Sequence, residues 1–491
     1  MNKPNILFVI TDQQRRNSLG VYGCRYTSTP NLDALGRDGT VYDHAYCNTP
    51  VCTPSRACIM TGKTITGHGV YNLFDILPED EKMLPSYLHD AGYQTGLVGK
   101  LHVSGIMYER DHRSPLDGFD LYELCHEPSI MLDAPYNGYA KWLRDKYPEE
   151  YEELLAKGRK LKNRPVHSHF STWVSERSAQ FIRERDKSRP FFLSVGYFDP
   201  HSPYNHHPIE SEKLLHEEFK EEIVHVDGEE EQSPEGMKVA RNIQCKNPLE
   251  RFTPAEAEQI RRGYFSGISF IDMQFGKIIK ALHDEGIYDD TMIVFTSDHG
   301  DMVCDHNLIG KGAFLYDDCT NVPLIIKYPH GERRGRSQRM VQLNDLFATM
   351  LFEAGIKDVS KESIPLQSGT ERSCAVTEYR GSGQLDLGVF PHPIMETMVR
   401  NDRYKLIIYH DTLEMQLFDM VNDPDETKNL SCDPNLQGVI IYLMQLYMQE
   451  AVKRDYAINS ARGGRSATPD FSSLAKANAE KEKKNSNLDQ H

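Results

Sequence analysis

With 491 residues, 39% of them hydrophobic, the chain can bury a large core, and its length allows about three domains. A formal charge of -16 argues against a nucleic-acid or anionic-membrane partner, so any cationic pocket must be local. The ten cysteines fall at irregular spacings, without a C-x-x-C pair or a zinc-type array, and no apolar run reaches transmembrane length. That usage suits buried thiols in a reducing compartment. Met1-Asn2-Lys3-Pro4 leads straight into an apolar run without a signal-peptide pattern, so a cytoplasmic location is expected.

Asn5–Thr11 is continuously apolar, as expected of a strand covered on both faces, and it ends in Asp12-Gln13. The next informative stretch is Cys52-Thr53-Pro54-Ser55-Arg56. Thr53 reads as an N-cap and Pro54 as the first helical residue, with the helix running to Thr61 and Gly62 placed to end it. Cys52 is therefore expected at a helix N-terminus, where free N–H groups and the dipole favour an anion and lower a thiol's pKa. Arg56, one turn in, adds a fork-shaped cation suited to a tetrahedral oxyanion. These features together predict a site for an anionic ester.

Further apolar runs at Gln94–Gly99, residues 191 to 198, Thr291–Ser297 and residues 322 to 328 predict more strands. Thr253-Pro254-Ala255-Glu256 is a capping box that opens a helix. Ile260, Tyr264, Ile268, Ile271, Phe275, Ile278 and Leu282 then step by threes and fours, and Gly286 can close it. Strands alternating with helices imply an α/β domain over residues 1–380, a large mostly parallel sheet sandwiched by helices. Residues 207 to 250, rich in Glu and turn formers, read as an insertion on the rim. Short strands at 397 to 409 and 414 to 418, then a helix at 437 to 454, predict a smaller α+β domain with an antiparallel sheet over residues 381–458. Residues 459–491 read as a polar tail.

Thr291–Ser297 ends in Asp298-His299-Gly300. Carboxyl ends of parallel strands share one edge of the sheet, where ligands bind, so Asp12 and Asp298 should meet there beside Cys52. Two carboxylates, the Gln13 amide oxygen and the His299 imidazole make a credible donor set for one divalent cation.

The pentapeptide from Cys52 to Arg56 matches the Cys-x-Pro-Ser-Arg signature of the type I sulfatases, within the alkaline phosphatase superfamily. Gly99-Lys100-Leu101-His102 is similar to that family's Gly-Lys-x-His element, and Asp199-Pro200-His201-Ser202-Pro203 to its Pro-His-x-Pro loop. Ser297-Asp298-His299-Gly300-Asp301, Gly310-Lys311-Gly312 and Leu417-Phe418-Asp419 resemble its later motifs, in order. The resemblance implies that Cys52 is converted by a separate maturation enzyme to formylglycine (3-oxoalanine), whose hydrate is held on the metal as nucleophile. It further implies that Arg56 orients the nucleophile, that Lys100 and His102 serve its second hydroxyl, and that His201 and Lys311 bind sulfate and assist the leaving alcohol. Metal ligands are implied at Asp12, Gln13, Asp298, His299 and residue 52.

Gln13 and His299 stand where many members carry Asp and Asn, which keeps manganese or another transition metal open beside calcium. Both variants also occur among phosphonate monoester hydrolases. Three functions follow. The first is hydrolysis of a sulfate monoester of a carbohydrate or small organic alcohol. The second is hydrolysis of a phosphonate monoester or phosphodiester on the same scaffold, and the third is metal-dependent anion binding without turnover. His306 near the expected pocket mouth and Arg380 near the domain boundary are candidate substrate contacts.

Overall fold

The computed structural model describes residues 3–216, 223–238, 252–357, 359–381 and 394–461. Among these residues, twelve strands form two sheets. The larger sheet is built from β1 (Asn5–Thr11), β2 (Thr40–Tyr46), β3 (Gln94–Gly99), β4 (Leu121–Leu124), β5 (Phe191–Gly196), β6 (Thr291–Ser297), β7 (Leu324–Lys327) and β8 (Gly335–Gln342). Its order is β4-β3-β5-β1-β6-β7-β2-β8. The smaller sheet is β9 (Ala375–Arg380), β10 (Met395–Arg400), β11 (Tyr404–Tyr409) and β12 (Met415–Asp419), antiparallel throughout.

The main helices are α1 (Pro30–Asp38), α2 (Cys52–Thr61), α3 (Phe170–Glu184), α4 (Pro254–Asp284), α5 (Asp345–Glu353) and α6 (Gln437–Ala461). Alternation along β1 explains its unbroken apolar run. Leu7 and Val9 pack with residues of α1, α3 and α4, while Ile6, Phe8 and Ile10 pack with residues of α2 and α5. Every residue of β1 is buried. The smaller sheet is itself covered twice. Met398, Ile407 and Phe418 face Tyr46, Val51 and Phe314 of the larger unit, and Val399, Leu406 and Leu417 face Ile440, Leu443 and Leu446 of α6.

The expected architecture is observed: a mostly parallel sheet between helices, with a small antiparallel sheet toward the C-terminus. Four details differ from the sequence reading. Residues 322 to 328 contain β7, which runs antiparallel to both β6 and β2. The small sheet begins with β9, before residue 381. The C-terminal helix extends to Ala461. Helix α2 starts at Cys52 with Val51 in the cap position, so neither Thr53 nor Pro54 opens it. Proline is tolerated anywhere among the first N–H positions, which have no intrahelical acceptor to lose. The Thr53 hydroxyl is engaged elsewhere and makes no cap. As expected, Gly62 ends α2 in the left-handed conformation (φ 68°), and Thr253 and Glu256 form the capping box of α4. Parts of the 207–250 insertion and residues 462–491 of the tail lie outside the described residues.

Candidate active site

Register brings the site together. Thr11 pairs with Ser297, so the next residue of each strand, Asp12 and Asp298, emerges at the same sheet edge. Helix α2 points its N-terminus at that edge. Asp12, Cys52, Asp298 and His299, all buried, place one ligand atom each within 4.8 Å of one another.

Arg56 joins the two carboxylates, with its Nε donating to Asp298 Oδ2 at 2.7 Å and its Nη2 to Asp12 Oδ2 at 3.3 Å. Lys100 Nζ adds a contact to Asp12 Oδ2 at 2.5 Å. Both carboxylates therefore spend Oδ2 on cations. Asp298 Oδ1 accepts the backbone N–H groups of Gln13 (3.0 Å) and His299 (2.9 Å). Gln13 adopts φ 69°, and its Nε2 donates to Asp301 Oδ2 at 2.5 Å. Its Oε1 is left buried without a hydrogen-bond partner. The His299 Nδ1–H donates to the Gly300 carbonyl (2.9 Å), which turns Nε2 toward the cluster, the atom that a neutral ring would offer to a cation. An orphaned amide oxygen, an oriented imidazole and two clamped carboxylates fit a divalent cation.

Cys52 Sγ lies inside the cluster. Lys311 Nζ lies 2.7 Å away, His299 Nε2 3.3 Å and Asp12 Oδ1 3.7 Å. His201 stands at the edge of this group, its Nε2 4.0 Å from Asp12 Oδ1 and its Nδ1 2.6 Å from the Ser202 carbonyl.

The electrostatics follow from burying several charges in one place. Burial would raise the pKa of Asp12, but Lys100, His201, Lys311 and Arg56 hold it well below the usual carboxylate range. Burial and Asp12 push the Cys52 thiol up, yet Lys311, Lys100 and His299 leave it lowered. Burial opposes the Lys311 charge, and Cys52 and Asp12 more than restore it, so its pKa is raised. His201 and His102 are both held well below the ordinary imidazole value, first by burial and then by Lys311 and Lys100 respectively. A cationic, water-poor cage around one nucleophilic position is suited to transferring an anionic group.

A family profile described as Sulfatase matches residues 4–356, and one described as N-sulphoglucosamine sulphohydrolase, C-terminal, matches residues 305–453. The chain belongs to the sulfatase family. It is 27% identical over 483 residues to an arylsulfatase of Clostridium perfringens, covering 92% of this chain and 95% of that one. It is 24% identical over 490 residues to an N-acetylglucosamine-6-O-sulfatase of Bacteroides thetaiotaomicron, covering 87% and 82%. Among solved structures, a phosphonate monoester hydrolase of Agrobacterium radiobacter shares the fold, with a TM-score of 0.76 at 22% identity over 92% of this chain and 96% of that one. This sulfatase is thus a sulfuric ester hydrolase.

Ten of the residues singled out in the sequence, Asp12, Gln13, Cys52, Arg56, Lys100, His102, His201, Asp298, His299 and Lys311, gather in or against this one cluster. His102 bonds the residue next to Cys52. Its Nε2 meets Thr53 Oγ1 at 2.9 Å, and no hydrogen bond joins it to Cys52 among the described residues. His306 is elsewhere. Its Nδ1 lies 2.7 Å from Glu229, its Nε2 3.0 Å from the Asp425 carbonyl, and its ring stacks on Tyr316 beside a cavity of about 280 Å³. Arg380 is held by Glu378 and the Glu396 carbonyl within the small sheet, and shares no hydrogen bond with the cluster. Both candidate substrate contacts are thus engaged within the protein.

The sequence reading gave Asp301 no role and took Thr53 only as a helix cap. Asp301 orients Gln13 while accepting the N–H groups of Val303 and Gly310 (both 2.9 Å), and also the Tyr204 hydroxyl at 2.7 Å. It lies inside a motif that was noticed, and only its role was missed.

Proposed function

We propose that this sulfatase hydrolyses a sulfate monoester of a carbohydrate or small organic alcohol, using formylglycine derived from Cys52 and one divalent cation, calcium by family resemblance. The observation that carries this reading is the placement of Cys52 Sγ at the start of α2, 2.7 Å from Lys311 Nζ and beside two carboxylates bridged by Arg56. A cation held by Asp12, Gln13, Asp298, His299 and residue 52 would draw charge from the ester, while formylglycine would supply an oxygen nucleophile.

The chain's own residues do the rest. Arg56 fixes the Oδ2 atoms of both carboxylates, which leaves Asp12 Oδ1 facing the cluster, while Asp298 Oδ1 is steadied by the Gln13 and His299 N–H groups. Lys311, whose proton is held by its anionic neighbours, binds an oxygen of the transferring group and is placed to protonate the departing alcohol. His201 has its Nδ1–H on the Ser202 carbonyl and offers the Nε2 lone pair at the site edge, where it can receive a proton and return it. The Thr53 hydroxyl donates to the Leu73 carbonyl at 3.3 Å, which assigns the proton of His102 to Nε2. The Nδ1 of His102 is then the basic atom, buried without a partner. A carbohydrate substrate is supported by the relative named for 6-O-sulfated N-acetylglucosamine. A maturation enzyme for Cys52 and a cytoplasmic location complete the reading.

The test compares turnover of an aryl sulfate and an aryl phosphonate monoester by protein whose residue 52 aldehyde has been verified by mass spectrometry. A strong sulfate preference, abolished by Cys52→Ala with the fold retained, is the expected result. A phosphonate preference would move the activity to phosphorus, where Gln13 and His299 also fit, and undiminished turnover by Cys52→Ala would sink the mechanism.

A further inference from the structure

Between β3 and the short helix Ile106–Glu109, the chain makes a tight loop that carries Lys100 and His102. His102 has φ 58°, a conformation that costs a non-glycine residue about 1 kcal/mol or more. Something must hold it there. The buried Glu109 carboxylate accepts three successive backbone N–H groups: His102 to Oε2 at 3.1 Å, and Val103 and Ser104 to Oε1 at 2.7 Å each. Consecutive N–H groups converging on one anion form a nest, and the charge makes each bond stronger than a neutral one. His126 backs the carboxylate, its Nε2 3.0 Å from Glu109 Oε2, and sets its ring edge-on to the His102 ring at 5.2 Å.

From these contacts we propose that Glu109 is a positioning residue for the sulfatase reaction: it holds the strained loop so that His102 reaches Thr53 and, through it, the nucleophile's helix. Glu109 has no hydrogen bond to Cys52 or to any of the metal-site residues. Its effect therefore passes through the loop. The orphaned Nδ1 of His102 makes this consequential, because nothing else among the described residues bonds the free end of that ring. The inference deepens the sulfate-ester reading and rests on it.

The test is a double-mutant cycle on the aryl sulfate, with Glu109→Gln and His102→Ala. Glutamine offers one acceptor oxygen and turns an NH2 against the loop's N–H groups, so the nest is broken with little change in volume. In E109Q, kcat is expected to fall about 10- to 100-fold with KM changed less than about threefold. In the H102A background the same substitution should cost less than about threefold more. Additive losses, or a loss confined to KM, would overturn the proposal, since a merely structural glutamate would weaken both backgrounds alike. Glu109→Asp keeps the charge with a shorter reach and should recover part of kcat; it replaces E109Q if that variant does not fold. Should aldehyde-bearing wild-type protein cleave no ester, the sulfatase reading fails separately. Hydrogen exchange then decides the positioning role: faster exchange at residues 102 to 104 with β3 still protected supports it, and unchanged exchange ends it.

Discussion

Several histidines are buried here, and a buried imidazole makes folding depend on pH. His68, which follows α2, shows the effect away from the metal-site residues. Burial, helped by Lys63, pushes its pKa from 6.5 down to about 3. The ring accepts the Val70 N–H at Nδ1 (3.1 Å), and its Nε2 lies 3.2 Å from Cys58 Sγ. The folded state therefore keeps His68 neutral where the unfolded chain would protonate it. Between the two values the unfolded state binds more protons, so stability is present above pH 6.5 and drains away as the pH falls toward 3. Lowering the pH from 7 to 5 should cost about 2 kcal/mol through this group alone. His68→Asn keeps an acceptor for Val70 and removes the titration. Urea unfolding at the two pH values should show a loss smaller by that amount in the variant. Equal losses would mean that His68 stays neutral for no cost, or titrates in both states alike.

At the scale of elements, the close approach of β3 and β5 sets the loop that carries Lys100 and His102. Gly99 pairs with Gly196, and the Lys100 N–H bonds back to the Gly196 carbonyl at 3.0 Å. A Cβ at Gly99, where φ is 100°, would sit 2.1 Å from the Gly196 oxygen, so no side chain fits without parting the strands. Gly99→Ala should lower stability by at least about 2 kcal/mol and, by displacing Lys100 from Asp12, depress kcat as well. Thermal unfolding and turnover of the purified variant would show both; wild-type values would refute the close-packing account. The Gly-Lys-x-His pattern was legible in sequence, but the clash that requires its glycine was not, because the partner is nearly a hundred residues away.

The same contrast runs through the fold. Strands β1, β3 and β6 were visible as apolar runs because helices cover both their faces. β2 was hidden by Asp43 and His44, and Asp43 is there to meet Arg336 and Gln338 of the edge strand β8. β8 itself is polar and half exposed, and β4 has only four residues. For the site, charged motifs at strand ends could be read directly. Glu109 could not, since bonding loop backbone leaves no spacing signature, and Thr53 was legible only as a cap, not as the partner of His102.

At the scale of the whole molecule, the smaller sheet meets the larger unit through an apolar layer that also holds buried charges, Lys405 among them. Lys405 of β11 shares a sheet face with Ile407 and Tyr409, and its side chain is fully buried. Its Nζ lies 2.9 Å from Asp317 Oδ1, in the segment that follows Lys311, and 2.8 Å from Glu426 Oε1, beyond β12. Burial opposes the Asp317 charge, but Lys405 and Arg400 bring its pKa down to about 2. Glu426 is pushed the other way, by burial ahead of any help from Lys405. One ammonium thus holds two carboxylates from separate stretches of chain against the same sheet face. Lys405→Met preserves length and apolar stem while removing the charge, so the buried Glu426 would lose its cation and Asp317 would keep only Arg400. Breaking a buried pair in this way typically costs about 3–5 kcal/mol. Because the layer joins the two sheets, the loss should appear as a lower urea midpoint of a single transition. An early separate transition would mean that the small sheet unfolds on its own once the tie is cut. An unmoved midpoint would show that the apolar layer alone holds the two units, and that the charge at its centre contributes nothing to stability.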